Sequence, residues 1–178
     1  AIYASESYIV NSGVFNNIGG GIYAIENTHI VNTTVTENSI AATSSPIATG
    51  SGILFDNTTS ILNTVVWNNV RGTSDYSNQI TSGMPNVVNC ALQGDATRAG
   101  SNGNFSLEAA DKRTSADYSL YYPEFSGEGV NRHITAFSSM INAGNTTLPT
   151  LPSSIDFTTD FFGKARVHAD TIDIGFSE

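Results

Sequence analysis

Basic residues are scarce in this chain. Lys and Arg total seven against sixteen Asp and Glu, a formal net charge of −9. Without a cationic stripe to displace counterions, nucleic acid is excluded as a partner. The same shortage disfavours anionic membrane surfaces. Cysteine is nearly absent. Cys90 stands alone, so no intrachain disulfide framework exists. With no histidine or acid beside it in sequence, it reads as a small buried apolar residue, not a nucleophile. Long apolar runs are missing as well. None approaches the roughly 18 residues of a membrane-spanning helix, so direct insertion of this segment into a membrane is not expected, and no signal-peptide pattern is present. Charged residues make up only 13% of the chain, and its polarity comes from Asn, Ser, Thr and Gly. Those residues suit turns and ladders, which points to a β-rich protein.

What the chain does have is a recurring phrase. Ile9-Val10-Asn11, Ile30-Val31-Asn32, Ile61-Leu62-Asn63 and Val87-Val88-Asn89 align one above another. Val14, Val35, Val66 or Leu92 follows three residues after each asparagine, and Asn17, Asn38, Asn69 or Asp95 six residues after it. An earlier apolar anchor (Ile2, Ile22, Ile53 or Ile80) precedes the second anchor by 7 or 8 residues. Each unit therefore holds three short apolar pieces separated by turn residues. Strands this short do not stand alone, and a period of 21 to 31 residues suits a solenoid.

The fold class expected is all-β: a right-handed, single-stranded parallel β-helix of about four coils with a C-terminal capping segment. Stacking supplies the core. Ile2, Ile22, Ile53 and Ile80 should form one interior stack; Ile9, Ile30, Ile61 and Val87 a second; Val14, Val35, Val66 and Leu92 a third. Asn11, Asn32, Asn63 and Asn89 are expected at a bend that needs the left-handed region, with their amides joined in a structural ladder. The extra residues of the longer units fall in two insertions, Ser39–Pro46 and Arg71–Ser77. Insertions on one side of a solenoid mark either its binding face or tolerated drift in solvent loops.

The division expected is coils over 1–95, then linker, insertion and cap over 96–178 of the same domain. The chain opens inside a repeat, so further coils are expected upstream of Ala1. After the coils come Ser138-Ser139-Met140-Ile141-Asn142-Ala143-Gly144, Asp160-Phe161-Phe162-Gly163-Lys164-Ala165-Arg166 and Asp173-Ile174-Gly175-Phe176-Ser177-Glu178. The repeats followed by these phrases resemble bacterial surface proteins of the pectate-lyase-like β-helix superfamily that carry a choice-of-anchor Q domain. Those proteins close with S-P-A-I-D-A-G, D-x-x-G-x-x-R and D-I-G-A-x-E. This chain departs at Ser139, Met140, Asn142 and Phe176. The resemblance covers the chain except for roughly 96–135. It implies a bacterial, Gram-negative cell-surface or extracellular location, and a polysaccharide partner (extracellular or on a host cell). Physically the phrases read as a cap, with Asp160 or Asp173 pairing to Arg166.

In that superfamily polysaccharide lies against the outer face of the first strand of each coil. Alternation turns Tyr3, Tyr23, Leu54 and Thr81 outward there, with Asp56 one step further along. Tyr3, Tyr23, Asp56 and Arg71 are the glycan-binding candidates. The tyrosines serve either as a sugar platform or as a stabilising cross-strand pair. Phe15 and Trp67 should point outward on the third strand, as a contact patch or beneath insertion loops. No catalytic residue is assigned. Arg71 is the only basic residue within 1–94, and no acid–base set falls in register. No cofactor is expected; calcium is left open because Glu6 and Glu26 in adjacent coils either repel or share a cation. The function expected is a non-catalytic cell-surface or secreted module for adhesion or glycan binding. The alternative is a fragment of a polysaccharide lyase or glycoside hydrolase whose catalytic coils lie upstream.

Overall fold

The computed structural model describes residues 1–41, 51–73, 79–80, 86–93, 102–107, 125–126, 133–134, 140–147 and 150–176. Most of both expected insertions, Thr81, Asp95, Ser138, Ser139, Ser177 and Glu178 lie outside them. Among the described residues the protein is all-β, with no helix. The first repeat carries β1 (Ile2–Ser5), β2 (Tyr8–Val10) and β3 (Gly13–Phe15). The second carries β4 (Ile22–Ile25), β5 (His29–Val31) and β6 (Thr34–Thr36), then β7 (Ser39–Ile40). The third carries β8 (Ile53–Phe55), β9 (Ser60–Leu62) and β10 (Val65–Trp67), then β11 (Val70–Arg71). The fourth carries β12 (Val87–Val88) and β13 (Ala91–Gln93). Further on come β14 (Phe105–Leu107), β15 (Phe125–Ser126) and β16 (His133–Ile134).

Like pairs with like, and in parallel. The first strands form the sheet β1-β4-β8, the second strands β12-β9-β5-β2, and the third strands β14-β13-β10-β6-β3. β7 pairs β11 in parallel, and β15 pairs β16 antiparallel. The register is the one the repeat predicts. Ile2, Ile22 and Ile53 are partners, with a bridge from Ile53 to Ile80. Ile9, Ile30, Ile61 and Val87 are partners, as are Val14, Val35, Val66 and Leu92. Members of all three stacks join one buried cluster with Ala24, Phe55 and Cys90. Each fully buried aliphatic side chain contributes about 2 kcal/mol. Ile2 departs from its expected place: it is 39% exposed, because β1 is the edge strand of its sheet among the described residues.

The bends follow from backbone geometry. Asn11, Asn32, Asn63 and Asn89 all sit at φ between +47° and +49°, the left-handed region that Asn tolerates better than most residues. Asn16, Glu37 and Asn68 repeat the device at the next corner, with φ between +53° and +57°.

The amide ladder is in a different column from the one expected. It starts at Asn17, whose Nδ2 donates to Asn38 Oδ1 at 2.8 Å; Asn38 Nδ2 donates to Asn69 Oδ1 at 2.8 Å, and Asn69 Nδ2 to Gln79 Oε1 at 2.8 Å. Asn38 and Asn69 are fully buried, where an unpaired amide would cost about 1–3 kcal/mol. The corner column makes one such rung, Asn63 Nδ2 to Asn32 Oδ1 at 3.2 Å. Its side chains otherwise reach the C-terminal segment. Asn89 Nδ2 donates to Ala143 O at 3.1 Å, Asn63 to Asn145 O at 2.9 Å, Asn32 to Asp173 O at 3.5 Å and Asn11 to Thr159 O at 2.8 Å.

Expected as an end cap, the C-terminal segment thus runs along the side of the stack and touches all four repeats. The reason is apolar demand. Outward-facing Val65 and Ala91 on the third sheet, with Leu107, pack under Met140 and Ile174, while Trp67 and Ala143 border them. Phe15 meets Phe176 at 5.6 Å between ring centroids. This segment packs against Phe15 and Trp67, both of them half-buried; most of the two insertions lies outside the described residues. The three terminal phrases come together: Ile174 N donates to Met140 O at 3.0 Å, and Phe161 N to Phe176 O at 3.0 Å. Asp160 Oδ1 accepts the N–H groups of Phe162 and Lys164 and so closes its own turn. The fully buried Arg166 guanidinium donates to Gly175 O, Phe176 O and Asn11 Oδ1. Burial raises the Asp173 carboxyl's pKa, opposed by the Asn142 N–H and the charge of Arg166.

The region expected as linker and insertion also continues the pattern. β14 joins β13 with Ala91 opposite Phe105. Gly103, at φ +72°, then falls opposite Asn89 and packs on its amide.

Candidate functional site

With the described part of the third sheet packed under the C-terminal segment, the first sheet presents an open aromatic face. Alternation along β1, β4 and β8 buries Ala4, Ala24 and Phe55 and turns Tyr3, Tyr23 and Leu54 outward. Tyr3 is 65% exposed and Tyr23 40%. Their rings meet edge to face, with centroids 5.2 Å apart and planes at 77°. In-register pairing of Tyr3 with Tyr23 produces this contact.

Beside the pair lies a cleft of about 370 Å³, lined by Ile2, Tyr3, Tyr23, Leu54, Ile40 and the backbone of Gly19–Gly21. The floor is backbone because Gly21 cannot carry a side chain. A Cβ there would sit 2.4 Å from Gly52 O. Gly19 and Gly20 donate to Ser39 O at 2.7 and 2.9 Å, which draws β7 and Ile40 to the cleft. The sequence reading missed Ile40 and the glycines. The run Gly19-Gly20-Gly21 was the available signal, since consecutive glycines mark a close backbone approach.

The other two candidates sit apart from the tyrosines' cleft. Asp56 lies just past β8 at the far end of the same sheet. Its Oδ1 accepts hydrogen bonds from the N–H and hydroxyl of both Thr58 and Thr59, and its Oδ2 accepts the Glu26 N–H. Burial pushes its pKa up, but these hydrogen bonds outweigh it and hold the carboxyl at about 2. Asp56 therefore fastens its turn to the preceding repeat. Arg71 stands on β11, opposite Ile40 of β7, and does not line the cleft.

Polar groups at that end of the sheet bind one another. Ser5 Oγ donates to Glu26 Oε2, and Glu6 N to Glu26 O at 2.9 Å. Among the described residues no three His, Cys, Asp or Glu side chains gather to hold a metal ion. His29, on the second sheet, stacks on Tyr8 with centroids 4.9 Å apart, and its Nδ1 lies 2.6 Å from Ser60 Oγ. Cys90 is buried, which pushes its thiol up to about 12 and leaves it inert at neutral pH. Among the described residues that line the cleft, none is Asp, Glu, His, Lys or Arg, and the amino terminus of Ala1 is the charged group there. The site offers aromatic faces, aliphatic side chains and phenol hydroxyls, which suits binding rather than proton transfer.

Comparison with protein-family models, curated proteins and solved structures gave no match.

Proposed function

We propose that this chain is a right-handed parallel β-helix that acts as a non-catalytic surface or secreted module, binding glycan through the open face of its first sheet. The observation that carries the reading is the exposed Tyr3–Tyr23 pair beside an open cleft. The parallel, in-register stacking of like strands on one core supports the β-helix. The three terminal phrases, folded against one another and against every repeat, support the resemblance to choice-of-anchor Q surface proteins. With it comes the assignment to the exterior of a bacterial, Gram-negative cell and to a polysaccharide or host-cell glycan as partner.

A glycan array with the intact chain tests this reading, together with an assay for unsaturated uronate release from acidic polysaccharides. Array binding that disappears when Tyr3 and Tyr23 are both replaced by Ala is the expected result. Uronate release by this chain would overturn the non-catalytic assignment.

A further inference from the structure

We infer that a second cleft, on the second sheet, binds a single sugar unit. It is a separate site and does not depend on the Tyr3–Tyr23 cleft.

The cleft is built from two sides. A space of about 310 Å³ opens between the second sheet and the C-terminal segment. Among the described residues, Ser60, Leu62, Asn86 and Val88 line it on the sheet side, and Asn145 and Thr147 on the other. Leu62 is the register partner of Val88, which brings Asn86 beside Ser60 two residues earlier. Both pairs face away from the core, because Ile61 and Val87 between them point inward. A two-way clasp fixes the opposite wall. Asn63 Nδ2 donates to Asn145 O at 2.9 Å, and Asn145 N donates to Asn63 Oδ1 at 2.7 Å. The clasp uses only the backbone of Asn145. Its side-chain Oδ1 accepts the Thr147 N–H at 2.8 Å, a turn that short polar side chains favour, and this sets Thr147 beside the cleft.

The lining also has hydrogen-bonding capacity to spare. Among the described residues, Asn145 Nδ2 and the Thr147 hydroxyl meet no partner, and Asn86 Nδ2 reaches only Asn57 O, at 3.4 Å. Ser60 is preset instead. His29 Nδ1 lies 2.6 Å from its Oγ, and Tyr8 stacks on the His29 ring with centroids 4.9 Å apart. A hydroxyl held on one side by a fixed imidazole offers its remaining capacity in a fixed direction.

This set matches a sugar. Amides and hydroxyls both donate and accept, as sugar hydroxyls do. Leu62 and Val88 add aliphatic surface for the C–H side of a pyranose ring. A space of about 310 Å³ is at the small end of ligand clefts, which suits one unit instead of a chain. A ligand of that size held by hydroxyls and amides binds in the millimolar range, too weakly for an array, so titration is the appropriate measurement.

The test is NMR titration of the intact, isotope-labelled chain with the methyl glycosides of glucose, mannose and galactose. The expected result is saturable shifts of the Asn86, Asn145 and Thr147 signals with at least one of them. Asn145→Ala and Thr147→Val should each weaken that binding about fivefold or more. Both substitutions spare the backbone clasp to Asn63, and thermal melting verifies that each variant folds. The double variant Tyr3→Ala/Tyr23→Ala should leave these shifts unchanged. Their loss in the double variant places the sugar on the first sheet, which overturns this site and leaves the glycan-binding reading standing. Binding unchanged in both Asn145→Ala and Thr147→Val overturns the site as well. No saturable shift with any of the three glycosides also overturns it, while the first-sheet reading stands or falls by the array alone.

Discussion

Arg166 Nη2 donates to Asn11 Oδ1 at 2.6 Å, joining residues 155 positions apart. This contact ties the last part of the chain to the first corner of the repeats. The same guanidinium holds the carbonyls of Gly175 and Phe176, and Phe157 lies under it at 5.9 Å. A planar fork of donors can serve three oxygens at once; an ammonium cannot do so with the same geometry.

Arg166→Ala should therefore destabilise the protein by about 3 kcal/mol, because two buried carbonyls and the half-buried Asn11 amide oxygen lose a charged donor together. Arg166→Lys should recover less than half of the loss. Urea midpoints at neutral pH measure both. A lysine variant as stable as the parent would show that charge, not the fork, is what the site needs.

The internal amide ladder gives a position-dependent outcome. Asn38 sits inside it: Asn17 donates to its Oδ1, while its Nδ2 faces Val14 O, Thr36 O and Asn69 Oδ1. Asn38→Ala should cost about 3 kcal/mol, and Asn38→Asp more, since a carboxylate cannot donate to those oxygens. Asn17 is half-buried at the ladder's end, so Asn17→Ala should cost about 1 kcal/mol. Equal losses at the two positions in chemical denaturation would rule out the ladder as the cause.

The ladder also marks where sequence reasoning stopped. Interior stacks and register were legible, since Ile30, Ile61 and Val35 recur at fixed offsets and β-branched residues favour one pleated interior. Two asparagine columns were legible as well, yet identical letters hide opposite roles. Asn32 and Asn63 bend the chain and turn their amides toward a distant segment. Asn38 and Asn69 follow another corner and turn theirs inward. Nothing local distinguishes them, because the deciding partners are Asp173 and Asn145 in one case and Gln79 in the other. The packing of the C-terminal segment against Trp67 and Phe15 was hidden for the same reason. Tyr3 and Tyr23 were legible as an outward pair, while their cleft needed Ile40, delivered by a separate strand pair.

Asp56 gives the chain a pH signature. Despite burial, which acts upward, its hydrogen bonds from Glu26, Thr58 and Thr59 hold it at about 2, against an ordinary value of 3.8. A carboxyl depressed by folding binds its proton more readily in the unfolded chain. Its contribution is complete above about pH 4 and is lost as pH falls through about 2. Asp56→Asn should be less stable than the parent at neutral pH, and the gap should close between pH 4 and pH 2. Urea midpoints of both proteins across that range decide it; a gap independent of pH would mean that the carboxylate's charge has no part in the turn.

Close approach between repeats makes the last prediction. A Cβ at Gly52 would lie 2.5 Å from Val66 Cγ1, 2.6 Å from Gln79 O and 2.8 Å from Asn69 Nδ2. Two of these neighbours belong to the ladder and the backbone beside it, so none can swing away freely. Gly52→Ala should cost about 3 kcal/mol through overpacking. Gly163 supplies the contrast. It has φ +80° and open space around the Cβ position, so Gly163→Ala bears only backbone strain of about 1 kcal/mol. Thermal and urea unfolding of the two variants separate contact from conformation. A smaller loss at Gly52 than at Gly163 would mean that neighbouring repeats can move apart to admit a methyl group.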